Sequence, residues 1–187
     1  IYVAYDSVEV WSNPQYFSLN KKMEQVKVAG CPPDAFDANG QMWGNPIYKW
    51  DVMEKDGYAW WIKRLRRVFD MHDVVRIDHF RGFEAYWAVP YGDENAIGGK
   101  WCKGPDHDFF NTLTEALGDD LPIWAEDLGI ITDDVEALRD DYNLPGMKVL
   151  QFAFCSEDEN DILPHRFKTE NCICYTGTHD NDTTRGW

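Results

Sequence analysis

Five short apolar runs, at residues 1–4, 74–77, 123–125, 148–154 and 172–175, are the strongest constraint on the fold of this chain. Each is rich in Val, Ile or aromatic residues and nearly unbroken in hydrophobicity, the pattern of a strand covered on both faces. Helical patterns fall between them. Trp61, Leu65, Val68 and Phe69 are spaced i, i+4, i+7 and i+8 and form one apolar stripe. A second helix is expected over residues 108–117. A third is expected to start at Thr132 as N-cap, with Asp133 and Asp134 in its first turn suiting the helix dipole, and to stop at Leu144-Pro145-Gly146. Strand and helix alternating in this order imply parallel β-α-β units. No Asn-Gly turn joins two of the runs; Asn39-Gly40 falls in a polar stretch instead.

Three of the runs end in carboxylates: Val74-Val75-Arg76-Ile77-Asp78-His79, Ile123-Trp124-Ala125-Glu126-Asp127, and the stretch from Cys172 through Thr178-His179-Asp180. Strands that stay apolar and turn acidic at their C-terminal ends are how a parallel β/α barrel builds a site. A doubly wound sheet is the alternative, but it concentrates its site at one switch point. The fold class is therefore read as α/β, a partial (β/α)8 barrel, because five strands are too few to close one of eight. Residues 1–187 are read as a fragment of one catalytic barrel domain: the chain starts at Ile1 inside an apolar run and stops at Trp187 directly after a polar motif. Two long connections, 7–73 and 90–105, are Pro-, Gly- and Asn-rich and are expected to hold lids or binding loops.

Composition excludes several classes of function. A net charge of −15 and no basic stripe leave nothing to neutralise phosphates, so no nucleic-acid partner is expected. Lys63-Arg64-Leu65-Arg66-Arg67 reads as the solvated face of a helix. No apolar run approaches the roughly 20 residues needed to span a bilayer, so no membrane partner is expected. The five cysteines are odd in number and form no CxxC, which fits reduced thiols in an intracellular compartment, cytoplasmic or, in a plant or alga, plastid. No His stands at ligand spacing to a cysteine pair, so no metal and no cofactor is expected. The nine Trp largely belong in a core, and the surplus also suits stacking on pyranose faces.

The chemistry is concentrated in three places. Arg76 and Asp78 are two apart on a strand and point to the same side, where the guanidinium would hold the carboxylate ionised, as a nucleophile requires. The alternative is an ion pair that fixes a strand end. Glu126 follows Ile-Trp-Ala, and an apolar wall with a nearby negative charge keeps a carboxyl protonated, as a general acid requires. The alternative is a charge at the start of the next helix. Asp127 should point the other way and bond backbone around Gly129. His179-Asp180-Asn181-Asp182-Thr183 has oxygens for Ca²⁺ but lacks the full loop signature. His179 and Asp180 gripping sugar hydroxyls, or a turn built on Asp182 or Thr183, are the other readings. Two carboxyl groups at one strand-end mouth are the arrangement that breaks and remakes glycosidic bonds. No nucleophile elbow, phosphate loop or dinucleotide fingerprint occurs.

Taken together these residues resemble the 4-α-glucanotransferases, the amylomaltase or disproportionating-enzyme family, almost from end to end. The strings that carry the resemblance are Gly30-Cys31-Pro32-Pro33-Asp34, Gln41-Met42-Trp43-Gly44-Asn45-Pro46, Arg76-Ile77-Asp78-His79-Phe80-Arg81-Gly82, Tyr86-Trp87-Ala88-Val89-Pro90, Ala125-Glu126-Asp127-Leu128-Gly129, Leu150-Gln151-Phe152-Ala153-Phe154 and Thr176-Gly177-Thr178-His179-Asp180. The resemblance implies a barrel related to the α-amylases, with about its third to seventh strands present and a lid inserted after the first of these. It implies retaining transfer between α-1,4-glucans or maltooligosaccharides, in starch or glycogen metabolism. Asp78 then matches the nucleophile, Glu126 the general acid/base and Asp180 the third carboxylate. Arg76 and His179 match donor-site ligands, Trp43 an acceptor-side stacking residue on the lid of residues 31–48, and Asp34, Asn45 and Phe154 positions along the cleft. Asp106 stands where relatives commonly carry Gly. An α-amylase-type hydrolase and a non-catalytic glucan-binding remnant are the rival functions.

Overall fold

The computed structural model describes residues 1–34, 37–154 and 162–187, so Ala35 and Phe36 of the long first connection, and Cys155, lie outside the described residues. In chain order it contains α1 (Val8–Ser12), β1 (Lys27–Cys31), β2 (Gln41–Pro46), α2 (Trp50–Lys55), α3 (Ala59–Phe69), β3 (Val75–Ile77), β4 (Ala85–Pro90), β5 (Lys100–Lys103), α4 (Asp106–Leu117), β6 (Ile123–Ala125), α5 (Asp133–Asp141), β7 (Gly146–Val149), α6 (Leu150–Ala153) and β8 (Cys172–Tyr175). The three helices expected from periodicity and capping are α3, α4 and α5.

The parallel pairings expected of a β-α-β chain are present. β3 pairs with β6 from Val75↔Ile123 to Ile77↔Ala125, and β7 pairs with β8 from Gly146↔Cys172 to Val149↔Tyr175. The Ala125 N–H donates to the Pro145 carbonyl at 2.8 Å and links the two pairs. Among the described residues these strands do not close into a barrel.

Three expectations are corrected. Residues 1–4 form no strand: the carbonyls of Ile1 and Val3 accept from the Tyr48 hydroxyl at 2.7 Å and the Asn45 amide at 2.9 Å, so side chains serve them. The run 148–154 is not one strand, because β7 ends at Val149 and residues 150–153 make a helical turn. The long connections are not merely loops. They supply β1, β2 and β5 of a four-stranded antiparallel sheet in the order β2-β1-β4-β5, which β4 completes. Gly30 in β1 and Gly44, Asn45 and Pro46 in β2 hid those two strands, since such residues are depleted in strands. Gly30 is one cause: a Cβ there would stand 2.1 Å from the Gln41 carbonyl oxygen, so the close approach of β1 and β2 requires glycine. Asn39-Gly40 proves to lie in the connection between these two antiparallel strands.

The main core is aromatic and sits under the strand ends. Phe83 and Phe109 stack at 4.8 Å between ring centres, with Phe80, Phe110, Trp50 and Trp61 around them. Arg64 departs from the solvated-face reading of its basic run, since its guanidinium stacks on Trp60 and Trp61, each at 5.2 Å. Asp106 has a left-handed φ of 53°, the conformation for which glycine is suited, and its carboxylate pairs with Lys103 at 2.7 Å and His107 at 2.8 Å.

Asp127 does not reach the backbone around Gly129. It is buried, pairs with Arg139 of α5 at 2.5 Å, and accepts the Met147 N–H of β7 at 2.7 Å. A Cβ at Gly146 would stand 2.5 Å from the same carboxylate, so the ion pair and the strand start fill one space. Arg139 also pairs with the exposed Asp140 carboxylate at 2.7 Å. In the full-length protein, Asp127→Asn is expected to lower unfolding stability by about 2 kcal/mol in chemical denaturation, because it removes the buried partner of Arg139 and leaves only that exposed one. The double variant Asp127→Asn with Arg139→Met should recover part of that loss, since it removes the buried guanidinium charge.

Candidate active site

The register of β3 and β6 decides the site. Ile77 is paired with Ala125, so Asp78 and Glu126 are each the first residue beyond a strand end, on adjacent strands. Residues in register on parallel strands project to the same face. Both line one open cleft, together with Arg76, His79, Trp43 and Asp180.

The two carboxylates have different surroundings. Asp78 Oδ1 pairs with Arg76 Nη2 at 2.7 Å, and the Asp78 side chain is 67% exposed. Arg76 is itself steadied by Nε donating to Met147 Sδ at 3.3 Å. Glu126 is more deeply set. Its Oε2 accepts the His79 N–H at 2.7 Å and its Oε1 accepts the Leu128 N–H at 2.8 Å. Burial raises its pKa above the ordinary carboxyl value, and the Asp78 charge adds to the rise, against the two amides and Arg76. A carboxyl held towards its acid form beside a carboxylate paired with arginine is an acid and nucleophile arrangement.

His79 carries no role in the sequence reading, though it stands inside a quoted motif. It has a left-handed φ of 52°, which turns the chain sharply after Asp78 and aims its N–H at Glu126. Its ring meets Trp43 edge-on at 4.7 Å, and burial pushes the imidazole down to about 3, so it stays neutral. Its Nε2 is buried without a hydrogen-bond partner among the described residues. The φ was the missing signal, and it is not visible in sequence.

The other expected residues divide. Trp43 is on β2, 36% exposed, with its indole N–H donating to Gln41 at 3.1 Å. Asp34 and Asn45 line the same cleft, Asp34 accepting the Asp37 N–H at 2.9 Å. Asp180 reaches the cleft from the loop after β8. His179 lies beside it, Nε2 to Oδ1 at 3.4 Å, with both side chains 77% exposed. The loop is shaped by Asn181 Oδ1, which accepts from Thr178 N–H and hydroxyl at 2.9 and 3.0 Å, and by Thr183 accepting the Gly186 N–H at 3.1 Å. Thr178 and Asp180 line the cleft, while Asn181 and Thr183 shape the turn. Phe154 is displaced from the cleft; its ring is 59% exposed and 6.1 Å from that of Trp187. Phe152 lines the cleft instead. The helical turn after Val149 rotates these two positions by roughly 200°, whereas a strand would keep them on one face. Among the described residues no group of three His, Cys, Asp or Glu is arranged to hold a metal, and no helix is long and apolar enough to cross a membrane.

Residues 1–187 match the model of glycoside hydrolase family 77, described as 4-alpha-glucanotransferase. The 4-alpha-glucanotransferase of Synechocystis sp. is 56% identical over 188 residues, which cover 100% of this chain and 37% of that protein. That of Clostridium butyricum is 53% identical, with 100% and 38% covered. The chloroplastic/amyloplastic 4-alpha-glucanotransferase of Solanum tuberosum is 52% identical, with 100% and 32% covered. The amylomaltase of Streptococcus agalactiae, solved in complex with acarbose, superimposes with a TM-score of 0.95 at 44% identity, covering 100% of this chain and 38% of that one. The chain therefore spans about a third of the length of these relatives. Matched over all its residues and at these identities, it belongs to the glycoside hydrolase 77 family of 4-alpha-glucanotransferases.

Proposed function

We propose that this chain is the site-bearing part of a 4-α-glucanotransferase that moves α-1,4-glucan segments to acceptor glucans or glucose by retaining double displacement. The observation that carries the reading is the in-register placement of Asp78 and Glu126 beyond β3 and β6, one paired with Arg76 and the other buried under two backbone amides. Residues 1–187 are part of one catalytic (β/α)8 barrel domain, with β3, β6, β7 and β8 among its third to seventh strands. The β1–β2 hairpin, carrying Asp34, Trp43 and Asn45, serves as its lid. Substrates are α-1,4-glucans and maltooligosaccharides of starch or glycogen metabolism. The enzyme acts in the cytoplasm, or in the plastid of a plant or alga, as the name of the potato relative supports.

In this reading Asp78 attacks the anomeric carbon while Glu126 gives its proton to the leaving glycosidic oxygen. A β-glucosyl ester on Asp78 results. Glu126, now ionised, takes the proton of an acceptor 4-hydroxyl, whose oxygen displaces Asp78 and restores the α-1,4 bond. Arg76 orients Asp78 through its ion pair. Asp180 and His179 hold donor hydroxyls, and Trp43 stacks an acceptor glucose so that it outcompetes water.

Incubating the full-length enzyme with maltotriose should yield glucose and a ladder of longer maltooligosaccharides. Glucose and maltose without longer products would make it a hydrolase. Asp78→Asn should abolish turnover, and Glu126→Gln should lower kcat by more than about 10²-fold; full activity of the Asp78→Asn variant would overturn the mechanism. Because the Glu126 pKa is raised, its acid form persists to higher pH than that of an ordinary carboxyl. The alkaline limb of kcat/KM should therefore fall above the usual carboxyl value of 4.5, and Glu126→Gln should remove that limb from its residual activity.

A further inference from the structure

Trp101 plays no part in the chemistry above, yet it lines the same cleft and is 43% exposed. It stands on β5, cross-strand from Trp87 of β4. An exposed indole ordinarily gains by folding onto its neighbours, and here it is held from doing so. The Arg81 guanidinium carbon lies 4.0 Å above one face of its ring, and the Trp87 ring meets it at 71° and 5.3 Å. Both supports are anchored. Arg81 is buried and donates to the carbonyls of Ile130 and Ala85, with the Glu84 carboxylate 3.9 Å away. Trp87 donates its indole N–H to the Ala96 carbonyl at 2.9 Å. A Cβ on Gly99 would stand 2.2 Å from that nitrogen, so the turn before β5 closes directly onto Trp87.

The ring is thus preorganised: it is backed by a cation, and it is part-exposed where it lines the cleft. Rigid aromatic surfaces with few polar partners bind the apolar faces of sugars through area and geometry, and preorganisation lowers the ordering cost. Trp101 shares the cleft with Asp78 and Glu126, and its partners are Arg81 and Trp87, not the two carboxylates. We propose that Trp101 is a glucan-stacking platform that takes a glucosyl unit remote from the cleaved bond and sets the preference for long chains. This rests on the glucanotransferase reading above. Binding at a remote position raises kcat/KM only for substrates long enough to reach it.

The test compares full-length wild type, Trp101→Leu and Trp101→Phe on maltotriose and on a long maltodextrin. Leucine keeps apolar bulk over Arg81 without an aromatic face, whereas phenylalanine keeps a stackable ring. With Trp101→Leu, kcat/KM on maltodextrin should fall roughly tenfold, while maltotriose disproportionation stays within about twofold. Trp101→Phe should regain most of the loss. Unchanged maltodextrin kinetics in Trp101→Leu, an equal loss on both substrates, or a Trp101→Phe as poor as Trp101→Leu would each overturn the platform. A wild type that cannot disproportionate maltotriose would instead overturn the glucanotransferase reading, and that result is read before any variant is compared.

Discussion

The buried contact between Asp127 and Arg139 is the constraint on which the rest of this site depends. The strands come as two parallel pairs, and among the described residues the seam between them is thin: a backbone hydrogen bond from Ala125 to Pro145, the Asp127 carboxylate reaching the Met147 N–H, and Arg76 reaching the Met147 thioether. Asp127 is also the residue after Glu126, so the same carboxylate that binds the second pair sets where Glu126 stands. Its charge in a buried position would be costly alone, and the Arg139 guanidinium at 2.5 Å offsets that cost while tying in α5. Met147 continues the line, because its thioether receives Arg76, which in turn holds Asp78. A single run of contacts therefore joins the seam to both reactive carboxylates.

The division of labour between those carboxylates is electrostatic. Two carboxyl groups at neighbouring strand ends would compete for ionisation if their surroundings were alike. Here the surroundings differ in kind. Asp78 is open and paired with a guanidinium, and Glu126 is covered and receives only neutral amide donors. Burial dominates at Glu126 and moves it towards the acid form, and the Asp78 charge pushes the same way. The His79 amide that holds Glu126 in place owes its direction to a left-handed backbone, a strained conformation of the kind that recurs at reactive sites.

Asp78, Glu126 and the parallel strands beneath them were legible because each follows a short, mostly apolar run rich in Val, Ile or aromatic residues. The antiparallel sheet was not legible. β2 is an edge strand, exposed along much of its length, and carries Gly44, Asn45 and Pro46, so neither alternation nor propensity marks it. The run 148–154 read as one strand, because an apolar run of this length reads as strand or helix equally well and the change of period at Val149, which brings Phe152 to the cleft, is set by packing. Trp101 was lost among nine tryptophans, most of them suited to the core, since sequence does not tell a backed and exposed ring from a buried one.

By itself the sequence determined the order of the parallel strands β3, β6, β7 and β8 and the helices α3, α4 and α5 interspersed with them, the acidic ends of three strands, and the family to which the motifs belong. These are local properties: hydrophobic period, capping residues and strings of neighbours. Only the tertiary structure decided that Asp78 and Glu126 stand in register, that Asp127 turns inward to Arg139 and not to the following loop, and that His79 and Trp101 frame the cleft. Those depend on contacts between residues far apart in the chain, where pairing register, close approach at Gly30 and the burial of charge are settled by what each group meets across space.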